Sequence, residues 1–304
     1  PASNVVLTVT SSDTGEATVN TPLTFTSANW NTAQTVTVTG VDDNLIDGNI
    51  NSTITIAVDD ANSDNNFDPV ANQTVTATTT DNDVAGFTIA QTGGSTSVAE
   101  TGTTDTFTVV LTAQPASDVV LTVTSSDTGE ATVNSPLTFT PLNWNTAQTV
   151  TVTGVDDNLA DGNINSTITI AVDDANSDNN FDPVADQTVT ATTTDNDVAG
   201  FTIAETGGST AVAETGSTDT FTVVLNAQPN SDVVLAITSS DTGETTVTGS
   251  LTFTNGNWNT AQTVTVTGVD DNIIDGSVNS TLTVTVVDAA SDNNFDAVAD
   301  QTVT

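Results

Sequence analysis

Apolar and small polar residues alternate along most of this chain. Gly200-Phe201-Thr202-Ile203-Ala204, Asp219 to Leu225, Val233 to Thr238, Leu251 to Thr254, Ala261 to Thr267 and Ser280 to Val287 alternate Val, Ile, Leu or Phe with positions filled mostly by Thr or Ser. A period of two predicts strands with one buried face, and the β-branched Thr and Val that fill them suit a pleated, half-buried surface. Helical periodicity is absent. Between the runs stand turn-forming clusters such as Ser125-Ser126-Asp127-Thr128-Gly129 and Asp156-Asp157-Asn158-Leu159-Ala160-Asp161-Gly162.

The pattern repeats. Pro1-Ala2-Ser3-Asn4-Val5-Val6-Leu7 returns from Pro115 and again from Pro229, with no insertion or deletion, so the repeat is 114 residues long. Solenoid units run to about 20–50 residues and cannot fold singly, whereas a unit of this size can close its own core. About seven evenly spaced strands per repeat predict an all-β chain of tandem immunoglobulin-like antiparallel β-sandwich domains. The joints fall at Asp81-Asn82-Asp83-Val84 and Thr194-Asp195-Asn196-Asp197-Val198, giving domains 1–83, 84–197 and 198–304. On this phasing 84–197 is complete, 1–83 lacks its first strands and 198–304 lacks its last few residues, and the polypeptide is expected to continue at both ends.

Charge changes the picture most. There are 39 Asp and Glu and no Lys, Arg or His, for a formal charge of −39. Nucleic acids and anionic membranes are engaged through cationic side chains that this chain lacks. Cations are the natural partners, because carboxylates at this density oppose compaction unless screened or bound. Without His, Cys, Lys or Tyr the usual general bases and nucleophiles are also missing, so an enzyme is not expected. No direct membrane insertion is expected in this stretch either, since no apolar run is long enough to span a bilayer. Trp30, Trp144 and Trp258, one per repeat, read as core or rim packing. Asn51, Asn72, Asn165 and Asn279 match the N-glycosylation pattern.

The segment Val155-Asp156-Asp157-Asn158-Leu159-Ala160-Asp161-Gly162, preceded by Val98-Ala99-Glu100 and followed by Thr194-Asp195-Asn196-Asp197, resembles the Calx-β domain, a tandem module of bacterial surface proteins and adhesins. The resemblance covers essentially the whole chain. It implies Ca2+ bound at one tip of each sandwich by an early Glu, a late acidic loop and the closing Asp cluster. Carried over, the metal ligands are Glu100, Asp156, Asp157, Asp161, Asp195 and Asp197 in the middle repeat. In the third they are Glu214, Asp270, Asp271 and Asp275, and in the first Asp42, Asp43, Asp47, Asp81 and Asp83. The family's mid-domain Gly-Ser-Asp-Tyr stretch is replaced here by Ser126-Asp127-Thr128-Gly129-Glu130, so Asp127 and Glu130 are left out of the implied set.

The residues alone leave a second reading of the loop open, a solvated turn whose Asp and Asn side chains cap their own backbone. The acidic stretch holding Asp173, Asp174, Asp178 and Asp182 reads first as a solvated hairpin. The function expected is a structural array on the cell surface or outside a bacterial cell: a stalk, surface layer or filament body stiffened by calcium. Its partners would be further repeats of the same chain and identical chains in a filament or layer. The alternative is a multivalent adhesin module binding glycans or proteins.

Overall fold

The computed structural model describes every residue of the chain except Asp275. It is a series of β-sandwiches, and the middle one shows the plan in full. One sheet runs in the order Leu137–Phe139, Val119–Ser125, Ile164–Val172, Gln187–Thr194 and Thr96–Ala99, and the facing sheet in the order Ala131–Val133, Gln148–Gly154, Thr104–Leu111 and Phe87–Gln91. That is nine strands where about seven are expected. The surplus lies in segments of three or four residues, too short to show a period of two.

Alternation decides which side chains go inside. In Val119–Ser125, Val119, Leu121 and Val123 are buried while Val120, Thr122 and Thr124 are not. Their neighbours in register continue the layer, Val123 opposite Ile170 and Leu121 opposite Val172. Phe107, Phe139 and Phe181 fill the space between the sheets together with Val150, Val152 and Ile168. The Gln187 side chain ties the sheets at one edge, donating from Nε2 to the Phe87 carbonyl at 2.7 Å.

One pairing departs from the antiparallel expectation. Thr96–Ala99 runs parallel to the end of Gln187–Thr194, Ala191 opposite Thr96 and Thr194 opposite Ala99. This ladder sets Ala99 beside Thr194, so that Glu100 lies next to the closing Asp-Asn-Asp segment. Gly154 makes room for it, since a Cβ there would stand 2.1 Å from the Ala99 carbonyl oxygen.

The third sandwich repeats the plan with sheets ordered Phe201–Glu205, Thr218–Leu225, Gln262–Gly268, Thr245–Val247 and Ser250–Phe253, Val233–Ser239, Leu282–Val286, Gln301–Val303. Residues 210–213, equivalent to the parallel edge strand, form no strand here. The first contains one sheet, Leu23–Phe25, Val5–Ser11, Ile50–Val58 and Gln73–Thr79, and a two-stranded ribbon of Ala17–Val19 and Val38–Gly40. Its buried core is Val9, Leu23 and Ile54. The rest of its apolar face opens as a cavity of about 500 Å3 lined by Val5, Leu7, Phe25, Trp30, Val58 and Phe67 among others. Trp144 and Trp258 pack against the cores of their sandwiches, as the sequence suggests, whereas Trp30 is 62% exposed beside this cavity.

Phe139 has no exposed surface and lies in the middle core, while Thr138 beside it faces solvent. Phe139→Ala should lower the protection of amides in Val119–Ser125 and Ile164–Val172 by about 3–5 kcal/mol, the usual cost of removing a buried Phe. Hydrogen exchange read strand by strand checks this, with Thr138→Ala expected within about 0.5 kcal/mol of the parent.

Candidate metal centre

Five carboxylates from four separate segments meet at the tip of the middle sandwich. Glu100 follows the parallel edge strand, and its N–H donates to the Thr194 carbonyl at 3.2 Å. Its side chain is 1% exposed and accepts a hydrogen bond from the Asn196 N–H at Oε2, 3.1 Å. Glu130 precedes Ala131–Val133, and its carbonyl accepts from the Val155 N–H and the Thr193 hydroxyl, at 2.8 and 3.2 Å. Asp161 comes from the acidic loop. Asp195 and Asp197 close the repeat, Asp195 accepting the Gly162 N–H at Oδ2 (2.7 Å) and the Asp197 N–H at Oδ1 (2.6 Å). Gly162 turns the loop at φ +78°, a conformation that favours glycine.

Two groups of three form around one shared residue. Carboxylate oxygens of Glu100, Glu130 and Asp161 lie within 4.8 Å of one another, and so do those of Glu100, Asp195 and Asp197. In the first group Glu130 Oε2 and Asp161 Oδ1 are buried and have no hydrogen-bond partner. A buried acceptor without a partner is costly, and an ionised one more so. No basic side chain exists in the chain to meet them.

Proton affinities respond accordingly. Burial pushes the Glu130 carboxyl up to about 7, helped by the charges of Asp161, Glu100, Asp157 and Asp127. Burial also raises Glu100 against the hydrogen bond from Asn196, with Asp195, Asp157 and Asp161 adding to the rise. Asp161 and Asp197 are raised by burial first and then by neighbouring aspartates. A divalent cation among these oxygens would reverse every one of those effects.

Of the residues implied by the resemblance, the structure brings Glu100, Asp161, Asp195 and Asp197 together. Asp157 stands at the rim, its Oδ1 accepting the Leu159 N–H at 2.7 Å. Asp156 is exposed and accepts from the Asn196 side chain at 3.0 Å. Glu130, left out of the implied set, lies with Glu100 and Asp161 in the first group, its proton affinity raised by burial. Asp127 stays outside, closing its own turn on the Gly129 N–H at 2.9 Å. A signal for Glu130 was present in the recurrence of Glu16, Glu130 and Glu244 at the same place in each repeat.

The other two tips are looser. Among the described residues of the first, Asp81 accepts N–H bonds from Asp83, Gly48 and Asp47, and these backbone bonds lower its proton affinity. Asp47 and Asp83 are raised, by burial first and then by their neighbours. Asp43 accepts the Leu45 N–H at 2.8 Å, and Asp42 is exposed. In the third tip Asp271 accepts the Ile273 N–H at 2.7 Å, Glu214 is half-buried and Asp270 is exposed. Asp275 lies outside the described residues.

The second acidic stretch has a different job. Asp178, 6% exposed, accepts the Ala116 and Ser117 N–H groups at Oδ2 (2.7 and 3.0 Å) and the Asn180 N–H at Oδ1 (3.0 Å). It is a satisfied clasp between two loops, and Asp64 and Asp292 accept equivalent backbone bonds in their own repeats.

A pH dependence follows from the raised carboxyls. Glu130 holds its proton to about 7 in the folded chain against an ordinary value of 4.5. The folded state therefore binds more protons than the unfolded state between those values, and stability falls as pH rises through that window. Melting temperature in chelator should drop from pH 4.5 to pH 7, and Glu130→Gln should flatten the drop.

No protein-family model matches the chain, and no curated protein matches it. Among solved structures, domains 4–9 of the surface layer protein SbsC align at 19% identity and a TM-score of 0.30, over 98% of this chain and 38% of that one. CBD12 from CALX1.2 aligns at 13% identity and a TM-score of 0.25, over 65% of this chain and 79% of that one. The calcium binding domain CBD12 of CALX1.1 aligns at 13% identity and a TM-score of 0.26, over 66% of this chain and 79% of that one. At these TM-scores no functional residue is carried across from any of them.

Proposed function

We propose that the chain is a structural repeat array of the cell surface or extracellular space whose sandwich tips bind calcium, in domains bounded at 1–83, 84–197 and 198–304. The observation that carries the calcium reading is the pair of buried, partnerless oxygens on Glu130 and Asp161 beside Glu100. The side chains of both groups offer carboxylate oxygens. The chain has no imidazole or thiolate to favour zinc or copper. Calcium takes six to eight oxygens in a flexible shell, which irregular loops supply more readily than the strict octahedron magnesium demands.

Glu100, Glu130 and Asp161 would hold one ion and Glu100, Asp195 and Asp197 a second, with Asp157 and Asp156 at the rim. The first tip would use Glu16 with Asp42, Asp43, Asp47, Asp81 and Asp83, and the third Glu214, Asp270, Asp271 and Asp275 with Glu244. A bound ion neutralises charges that otherwise repel across the fold. Asp157 and Asp161 flank Asn158-Leu159-Ala160, which touches the next sandwich, so fixing them also stiffens the joint. An affinity of about 10⁻⁴ to 10⁻³ M, typical of extracellular modules, matches calcium levels outside cells.

Calorimetric titration of the metal-stripped chain should show calcium binding in that range, and Glu130→Gln with Asp161→Asn should remove the share of the ion held by Glu100, Glu130 and Asp161 while leaving that of the second. With an affinity of about 10⁻⁴ M, calcium at a hundredfold excess should add about 2.7 kcal/mol per site. Solution scattering should show a narrower spread of lengths in calcium than in chelator. No heat and an unchanged melting temperature at 10⁻² M calcium, about tenfold or more above the affinity range, would sink the calcium reading.

A further inference from the structure

The loop that carries Asp157 and Asp161 also makes a contact in which charge has no part. Leu159 pairs with Gln228 as an isolated parallel bridge. The Ala160 N–H donates to the Gln228 carbonyl at 3.1 Å, and the Gln228 N–H donates to the Asn158 carbonyl at 2.6 Å. Ala160, 4% exposed, packs within the core of the third sandwich. The first tip does the same one repeat earlier. Leu45 pairs with Gln114, the Ile46 N–H donates to the Gln114 carbonyl at 3.1 Å, and the Gln114 N–H donates to the Asn44 carbonyl at 2.7 Å. Ile46 packs against the middle core, and its carbonyl accepts from Asn180 Nδ2 at 3.0 Å.

At the same place in the third repeat stand Asn272, Ile273 and Ile274. Ile273 is 65% exposed and Ile274 wholly so. We infer that Asn272-Ile273-Ile274 is a docking segment for one further copy of this repeat joined in tandem, seated on the backbone of its Gln228-equivalent loop. Two joints built to one pattern show what covers this tip, and the third presents the same backbone with a larger side chain. Ala160 leaves a cleft of about 390 Å3 at the second joint, walled in part by Gly162, Val198, Ala199, Ala297 and Val298. Ile274 matches Ile46 in size and fills its joint as Ile46 does.

The occupant is a covalent neighbour and not a free copy. Two backbone hydrogen bonds and one or two aliphatic side chains fall far below the roughly 1,000 Å2 that a stable free interface needs. A short joint supplies an effective concentration of about millimolar, which makes so small a contact persist. Both receiving loops in this chain are already taken by Leu45 and Leu159. Two free chains, each at −39, also repel.

The test appends a second copy of residues 191–304 after Thr304. Thr304 occupies the place of Thr190 in the repeat, so the period is kept. The chain has no cysteine, which allows clean crosslinking. Ile273→Cys is combined with Gln228→Cys in the appended copy only, and Leu159→Cys with Gln228→Cys in the unextended chain is the control. Partners across a bridge lie within disulfide reach. Oxidation is run in chelator, which separates the result from the calcium reading, and thiol labelling reads it. Loss of free thiol to the same extent in both proteins is expected. A closed control with an open new pair overturns the inference, and so does failure of both, since the joint would then not be a contact. The unextended chain should sediment as a monomer; a dimer abolished by Ile274→Ser would overturn the choice of a tandem neighbour.

Discussion

Glu100 lies buried with its carboxylate beside four others, Glu130, Asp161, Asp195 and Asp197, in a chain without a basic side chain. The rest of the middle tip is arranged around this crowding. The parallel ladder brings Glu100 against Thr194, Gly154 lets the Ala99 carbonyl in, and Asn196 gives Glu100 its one backbone donor. Aliphatic and Phe side chains between the sheets must supply the free energy that holds these charges together. An ion supplied from solution would remove most of the opposition. The raised proton affinities of Glu130, Glu100, Asp161 and Asp197 express the same conflict without one.

Acidic residues in this fold therefore meet two fates. Asp64, Asp178 and Asp292 are at least as buried as Glu130, yet backbone N–H groups surround them. These residues pin loops and need nothing from outside. Glu130 and Asp161 at the tip instead keep a buried oxygen without a partner, which stability alone would not favour. Between Asp157 and Asp161 the chain also reaches the neighbouring sandwich, so one seven-residue segment, Asp156 to Gly162, joins the charge problem to the mechanical one.

Much of this was legible in the residues. Alternating Val and Thr marks the strands because a sheet with one buried face demands it, and the exact repeat shows that the plan is copied. The resemblance to the Calx-β domain is what places Glu100, Asp161, Asp195 and Asp197 in one implied set. Glu130 escaped because it adjoins a three-residue strand in a turn-like stretch, where burial depends on the facing sheet and on Thr193. The parallel edge pairing escaped as well, since residues about 95 apart meet there and no local pattern encodes that. The docking of Leu45 and Leu159 on Gln114 and Gln228 is a backbone contact between repeats, and backbone contacts leave little trace in side-chain pattern.

The central claim is that oxygens on Glu130 and Asp161, beside Glu100, are held apart from protein partners because an ion belongs among them. Long-wavelength anomalous diffraction from crystals grown in calcium tests it most directly. The account predicts anomalous peaks between Glu100, Glu130 and Asp161 and between Glu100, Asp195 and Asp197, with ligand distances of about 2.3–2.6 Å. A folded middle sandwich with no anomalous peak at its tip, or with those carboxylates turned away from one another into solvent, would contradict it.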